Sequence, residues 1–197
     1  LLLTAVAGDH CPMSDGYPDR KLASDAGPDV RVVHLNPAAI RALARGDVAA
    51  ADAASPVPVS AYLAGAECHG LWRLRSEQVE DDPAAARWVT GIVWDDERRL
   101  AVGAAGYHGP PDATGMVEIG YRIDPAYRRR GYARAALEAL LARAAREPEV
   151  SRVRVSIRPD NLASYALASQ YGFFKVGEQW DDEDGLEIIY EAPARPS

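Results

Sequence analysis

A chain of 197 residues with 48% hydrophobic and 26% charged side chains has the length and balance of one packed domain, which excludes a fibrous or wholly disordered protein. Its formal charge of −7 excludes a generally basic surface for nucleic acid or an anionic membrane, so any polyanion must be met locally. Cys11 and Cys68 show no paired spacing, and the single histidine adjacent to each does not make a metal-ligand spacing, so neither a disulfide framework nor a metal site is expected, and a reducing cytoplasm suits them best.

Leu1–Ala7 is apolar but too short to span a bilayer, and it reads as a tail. Residues 8–28 are rich in Asp, Gly, Pro and Ser without apolar periodicity, so residues 1–29 are expected to form a flexible arm and residues 30–197 the folded domain. Lysine occurs only at Lys21 and Lys175 while arginine is abundant, the usage of a high-G+C bacterial source.

Val30–Leu35 predicts a first strand, Pro37 a helix start running toward Gly46, and Asp47 the start of a second short helix. Over 60–87 the pattern is mixed: Leu71, Trp72, Leu74 and Val79 fit one helical face, and Asp81-Asp82-Pro83 marks a break. Val89–Trp94, Leu100–Tyr107 and Met116–Ile123 read as antiparallel strands leading into a helix over Gly131–Arg146, whose apolar positions recur at helical spacing. Val153–Ile157 is a strand, Asp160 or Asn161 caps a short helix ending at Gly172, and Phe173–Trp180 pairs with Leu186–Tyr190 across the acidic turn Asp181-Asp182-Glu183-Asp184.

Chemistry concentrates where the Ile123 strand meets the Tyr132 helix, in Asp124-Pro125-Ala126-Tyr127-Arg128-Arg129-Arg130-Gly131-Tyr132-Ala133. A helix N-terminus offers unpaired backbone N–H groups and partial positive charge, and Gly131 and Ala133 leave room for a phosphate. Arg128, Arg129, Arg130 and Arg134 add positive charge on an acidic protein. Read alone, the cluster also fits a solvated arginine-rich helix start. Neither a Gly-Lys-Ser/Thr loop nor dinucleotide-binding glycine spacing is present, which disfavours ATP and NAD.

Arg128, Gly131 and Ala133 fill the fixed positions of R/Q-x-x-G-x-G/A, Ile123-Asp124-Pro125 precedes them, and Asn161-Leu162-Ala163-Ser164 with Gly172-Phe173 follows in order. On these residues, over about 89–191, the chain resembles the GNAT superfamily of acyl-CoA-dependent N-acetyltransferases. The resemblance implies an α+β domain with a mixed, mostly antiparallel sheet flanked by helices, and acetyl-CoA as cosubstrate. It also implies that Arg128, Arg129, Arg130, Gly131, Tyr132, Ala133 and Arg134 hold the CoA pyrophosphate. Tyr121, Arg122 and Ile123 would pair with the pantetheine arm, lined on its other side by Asn161 and Ser164. The thioester would lie where the strand ending at Ile123 and the strand Arg152–Ile157 splay apart.

Acyl transfer to an amine requires a proton acceptor and is helped by a donor to the leaving thiolate. Glu118 is the candidate base, with Glu187 in reserve. Glu118 stands five residues before Ile123, where some members of the superfamily place a glutamate six before, so a bulge at Gly120 would be needed to restore its face. A structural carboxylate is the plainer alternative. Ala168 occupies the position that often carries a tyrosine acid, which leaves Ser164, or Tyr171 one turn later, as the donor; Asn-x-x-Ser resembles the ribosomal-protein N-terminal acetyltransferase branch. Trp72, Trp88, Trp94 and Trp180 read as core or groove walls, and His108 has no partner spacing for a triad or metal.

The expected activity is acetyl transfer to a primary amine of a small molecule or a peptide N-terminus, without metal, nucleic acid or membrane; monomer and homodimer both fit. Ala168 keeps open a non-catalytic acyl-CoA-binding sensor as the alternative. The acidic turn, with Glu80, Asp81 and Asp82 across from it, favours a cationic acceptor.

Overall fold

The computed structural model describes residues 27–182 and 185–195. Most of the expected arm, with Leu1–Ala7 and Cys11, and the turn residues Glu183 and Asp184 lie outside the described residues.

Strand β1 (Val30–Val33) leads to helix α1 (Pro37–Ala44), which starts where Asn36 accepts from Ala39 N and Pro37 supplies the preset φ of a first helical residue. Asp47 caps α2 (Val48–Ala54) in the same way. The mixed stretch contains a full helix, α3 (Ala66–Asp81), ended by Asp82, which turns to cap a short 3-10 turn at Pro83–Arg87. Its buried face carries Leu71, Trp72 and Val79 as expected, but Arg75 and Ser76 are buried in place of Leu74. Helical alternation correctly located the face; the buried arginine could not be read from apolar spacing.

Strands β2 (Gly91–Asp95), β3 (Leu100–Tyr107) and β4 (Met116–Ile123) follow, then α4 (Tyr132–Arg146), β5 (Arg152–Ile157), α5 (Leu162–Ala168), β6 (Phe174–Asp181) and β7 (Gly185–Pro193). They form one seven-stranded sheet ordered β1-β2-β3-β4-β5-β7-β6, antiparallel at each junction except the parallel β4–β5 pair. The fold is the α+β arrangement anticipated from the sequence. Among the described residues no helix is long and apolar enough to cross a membrane.

Two apolar clusters lie against the sheet. Helices α1–α3 pack with Val33, Ile92, Trp94 and Ala104 on one face, whereas α4 and Ala168 of α5 pack with Val93, Val117, Ile119, Val153 and Val155 on the other. Strands β2 and β3 are therefore covered on both sides, which is why they read as near-continuous apolar runs. The β3–β4 ladder runs in register from Gly103↔Ile123 to Tyr107↔Ile119, without a bulge at Gly120. Strand alternation alone thus puts Glu118, Gly120 and Arg122 on the α3 side.

The start of α4 is fixed from below. Asp95, fully buried at the end of β2, accepts from the Tyr132 hydroxyl at 2.7 Å, from Arg98 N at 2.8 Å and from the Arg98 guanidinium at 3.1 Å. Burial pushes the Asp95 carboxyl up, but these bonds outweigh it and hold the group below its ordinary value. A carboxyl with a lowered folded-state pKa contributes stability above its unfolded value, near 4, and loses it as pH falls through the folded one. Tyr132→Phe is accordingly expected to destabilise the domain by about 1–3 kcal/mol at pH 7. In denaturant titrations the deficit should shrink below about pH 4, as Asp95 protonates.

Candidate active site

Helix α4 begins at Gly131, whose φ of 85° is left-handed and whose position offers no side-chain cap, so the first-turn N–H groups face outward without a competing acceptor from the cap. Arg128 donates to Ile123 O at 3.1 Å, Arg130 lies over the Tyr127 ring at 5.7 Å, and Arg129 adopts φ 60°. The buried ring of Tyr132 anchors the turn, while Ala133 stays half-buried and keeps the opening free of bulk. Arg134 bonds the Tyr171 hydroxyl and Gln170 beyond α5. This uncapped, arginine-flanked helix start fits a pyrophosphate. A Cβ on Gly131 would lie 3.0 Å from Pro28 Cδ, so glycine is required by the turn and by the chain segment beside it, and not only by room for a phosphate.

The parallel β4–β5 ladder holds only from Met116↔Arg152 to Glu118↔Arg154. Beyond that rung the strands separate and open a cleft lined by Ile119, Tyr121, Val155, Ser156, Ser164 and Ala168 among others. Tyr121 points into it and donates to Ser164 Oγ at 3.2 Å. Burial pushes the Tyr121 hydroxyl up, against a smaller lowering by Ser164. Asn161 is buried and spends its side-chain oxygen capping α5 through Ser164 N at 3.1 Å. Arg122 and Ile123 do not turn their side chains into the cleft: Arg122 reaches the start of α3, bonding Glu67 O with Cys68 Sγ at 3.8 Å, and Ile123 is core. Tyr171 is tied between Arg134 and Glu138, away from the cleft lining.

Glu118 sits on the last paired rung, on the α3 side. Its Oε1 accepts from Ser156 Oγ at 2.7 Å and lies 3.7 Å from His108 Nδ1, and Arg75 adds a favourable charge from α3. Because Ser156 also lines the cleft, Glu118 is one hydrogen bond from it. Glu187, 7% exposed on β7, accepts from Gln179 Nε2 at 2.8 Å, and the same amide nitrogen lies 3.4 Å from Ser156 Oγ. Burial, then the Arg75 charge, pushes His108 down to about 3, so its imidazole is neutral. Burial likewise pulls Arg75 down to about 10, opposed by Glu118.

On sequence alone His108 is set aside for want of partner spacing, and Arg75, Ser156 and Gln179 do not stand out. His108 could have been found by extending the β3–β4 register one pair beyond Tyr107↔Ile119, where its N–H meets Glu118 O at 2.8 Å. Buried Arg75 on a helix and Ser156 on a strand carry no local signal. The acidic groups expected opposite the hairpin have local duties: Glu80 accepts from Ser76 and Asp82 from Ala84 N.

The profile of the Acetyltransferase (GNAT) domain matches residues 36–174. Among curated proteins, the uncharacterized N-acetyltransferase YjdG of Bacillus subtilis is 38% identical over 86 residues, 44% of this chain and 49% of that protein. A second B. subtilis protein, YnaD, is 32% identical over 83 residues, 38% of this chain and 49% of its own. The chain thus spans about half the length of the curated relatives it matches. The ribosomal-protein-S5-alanine acetyltransferase structure from Vibrio fischeri superposes at TM-score 0.55 with 17% identity, covering 84% of this chain and 92% of that one. RimL, a ribosomal L7/L12 alpha-N-protein acetyltransferase solved with coenzyme A, superposes at TM-score 0.56 with 16% identity, covering 84% and 94%. At these identities the structural likeness speaks for the fold.

Replacing Gly131 by valine forces a β-branched residue into a left-handed turn against Pro28. Calorimetry with CoA should show at least a roughly tenfold weaker affinity, the equivalent of about 1.4 kcal/mol. An unchanged affinity in a folded Gly131→Val protein would remove this turn from the CoA site.

Proposed function

The chain belongs to the GNAT acetyltransferase family, and on that footing we propose that it transfers the acetyl group of acetyl-CoA to a primary amine, with Glu118 as base and Ser164 as donor to the leaving sulfur. One observation carries the reading: the β4–β5 separation begins at Glu118↔Arg154, with the uncapped start of α4 serving one face and a carboxylate standing on the other. Cosubstrate and acceptor can then enter from opposite faces and meet in the cleft, which provides the proximity that an acyl transfer needs.

The α4 turn would hold the pyrophosphate through its backbone N–H groups and neighbouring arginines. On the α3 side Glu118 would take the proton of an ammonium acceptor, so that the neutral amine attacks the thioester carbonyl. The thiolate then needs a proton. Because Tyr121 donates to Ser164 Oγ, the single Ser164 proton is directed onward. Ser164 and Tyr121 thereby supply a hydroxyl where Ala168 has none, which favours turnover over an acyl-CoA-binding sensor.

For the acceptor we infer a small amine or peptide N-terminus with net positive charge. The hairpin β6–β7 bears Asp181 and Asp182 at its tip and joins Gln179 and Glu187 to the face that holds Glu118. Attraction by exposed carboxylates is screened over about 8 Å at physiological salt, so it should appear in acceptor capture and not in the bound step.

CoA release from acetyl-CoA, followed with a thiol reagent over an amine panel, tests the activity. Glu118→Gln should lower turnover by roughly 10²-fold or more where the acceptor is protonated, with CoA affinity unchanged; a wild-type pH–rate profile would sink the assignment. Asp181→Asn with Asp182→Asn should reduce kcat/KM for cationic amines at low salt and leave neutral amines unaffected. Equal losses for both classes would leave the hairpin tip without a role in selection.

A further inference from the structure

We propose that Ser156 is the positioning residue that orients the Glu118 carboxylate at the mouth of the cleft, with Gln179 keeping Ser156 in its donor state. The inference rests on the reading of Glu118 as the base and names what makes it one.

Backbone pairing cannot position the Glu118 side chain on its open side, because the β4–β5 ladder ends at its own rung. Strand alternation returns Ser156 to the same face two residues after Arg154, and its hydroxyl bridges the widening gap to Glu118 Oε1 at 2.7 Å. That length is typical of a hydroxyl donating to a charged carboxylate.

The direction of the bond follows from counting protons. Gln179 must turn its amide nitrogen toward the carboxylate of Glu187, which only accepts, at 2.8 Å. The second proton on that nitrogen is then available to Ser156 Oγ, 3.4 Å away. A serine hydroxyl that accepts from Gln179 has one proton left to give, and the oxygen before it is Glu118 Oε1. Every donor in the line points toward Glu118, which fixes the direction in which its Oε1 is held.

The other groups around Glu118 act in the same sense or are already committed. Arg75 of α3 is a buried cation, 1% exposed, that bonds Thr90, Gln78 and the His108 carbonyl and favours the charge on Glu118. His108, 3.7 Å away, is neutral. Arg154, across the last rung, and Arg152 are engaged with the buried Glu191 on β7. Glu187 is separated from Glu118 by Gln179 and Ser156.

Carbon-detected NMR of glutamate side chains reads the Glu118 carboxyl directly, its signal assigned by its loss in Glu118→Gln, and needs no acceptor. At neutral pH the carboxyl carbon signal should move in Ser156→Ala, and Ser156→Thr, which restores the hydroxyl, should return it. Turnover should fall roughly tenfold in Ser156→Ala, the loss expected for one hydrogen bond to a charged acceptor, and recover in Ser156→Thr. An unmoved carboxyl signal overturns the positioning role whatever the kinetics show. A signal that moves while Glu118→Gln keeps wild-type turnover overturns instead the reading of Glu118 as base, and with it any catalytic meaning of Ser156.

Discussion

The termination of the parallel β4–β5 ladder at Glu118↔Arg154 is the constraint on which the site depends. A continuous ladder would fill the space between the strands with hydrogen bonds and leave nowhere for a reacting group. Separation exposes the sheet interior to both faces at one place, and the lining is mostly side chains of β4, β5 and α5. The cost of ending the ladder is unpaired backbone on facing edges, which an extended ligand arm could satisfy.

The opening stays local because the sheet is held on both sides. Strands β2 and β3 are buried between the α1–α3 layer and α4, and β5 is tied to β7 over six residue pairs from Arg152↔Pro193 to Ile157↔Ile188. The Asp95–Tyr132 bond links the end of β2 to the first residue of α4, so the turn at Gly131 is set by a buried contact on the side remote from solvent. Binding geometry and fold stability therefore share residues.

Charge is distributed to match. The chain is acidic in sum, yet Arg128, Arg129 and Arg130 are gathered at one helix start where N–H groups already point outward. On the opposite face three carboxylates stand between β4 and the hairpin: Glu118 and the buried Glu187 and Glu191, the last neutralised by Arg152 and Arg154. Positive and negative groups thus lie on different faces, as the proposed entry of a polyanion and an ammonium from opposite sides requires.

By itself the sequence determined most of the strand and helix content, the glycine turn ahead of α4 and the family resemblance, because each rests on local rules: period-2 and period-3.6 patterns, Pro37 and Asp47 as helix starts, Asn161 as a cap, and glycine at Gly131. The boundaries of β3 and β4 matched to the residue. Only tertiary structure decided what surrounds Glu118. Apolar spacing cannot announce a buried Arg75, the bulge at Gly120 that would have turned Glu118 to the other face is absent because the β3–β4 register is continuous, and Tyr171 is drawn away by Arg134 and Glu138. Ser156, Gln179 and His108 matter because strands far apart in the chain bring them to one carboxylate. Hydrogen bonds between side chains depend on ångström distances across the sheet, and no one-dimensional pattern encodes those.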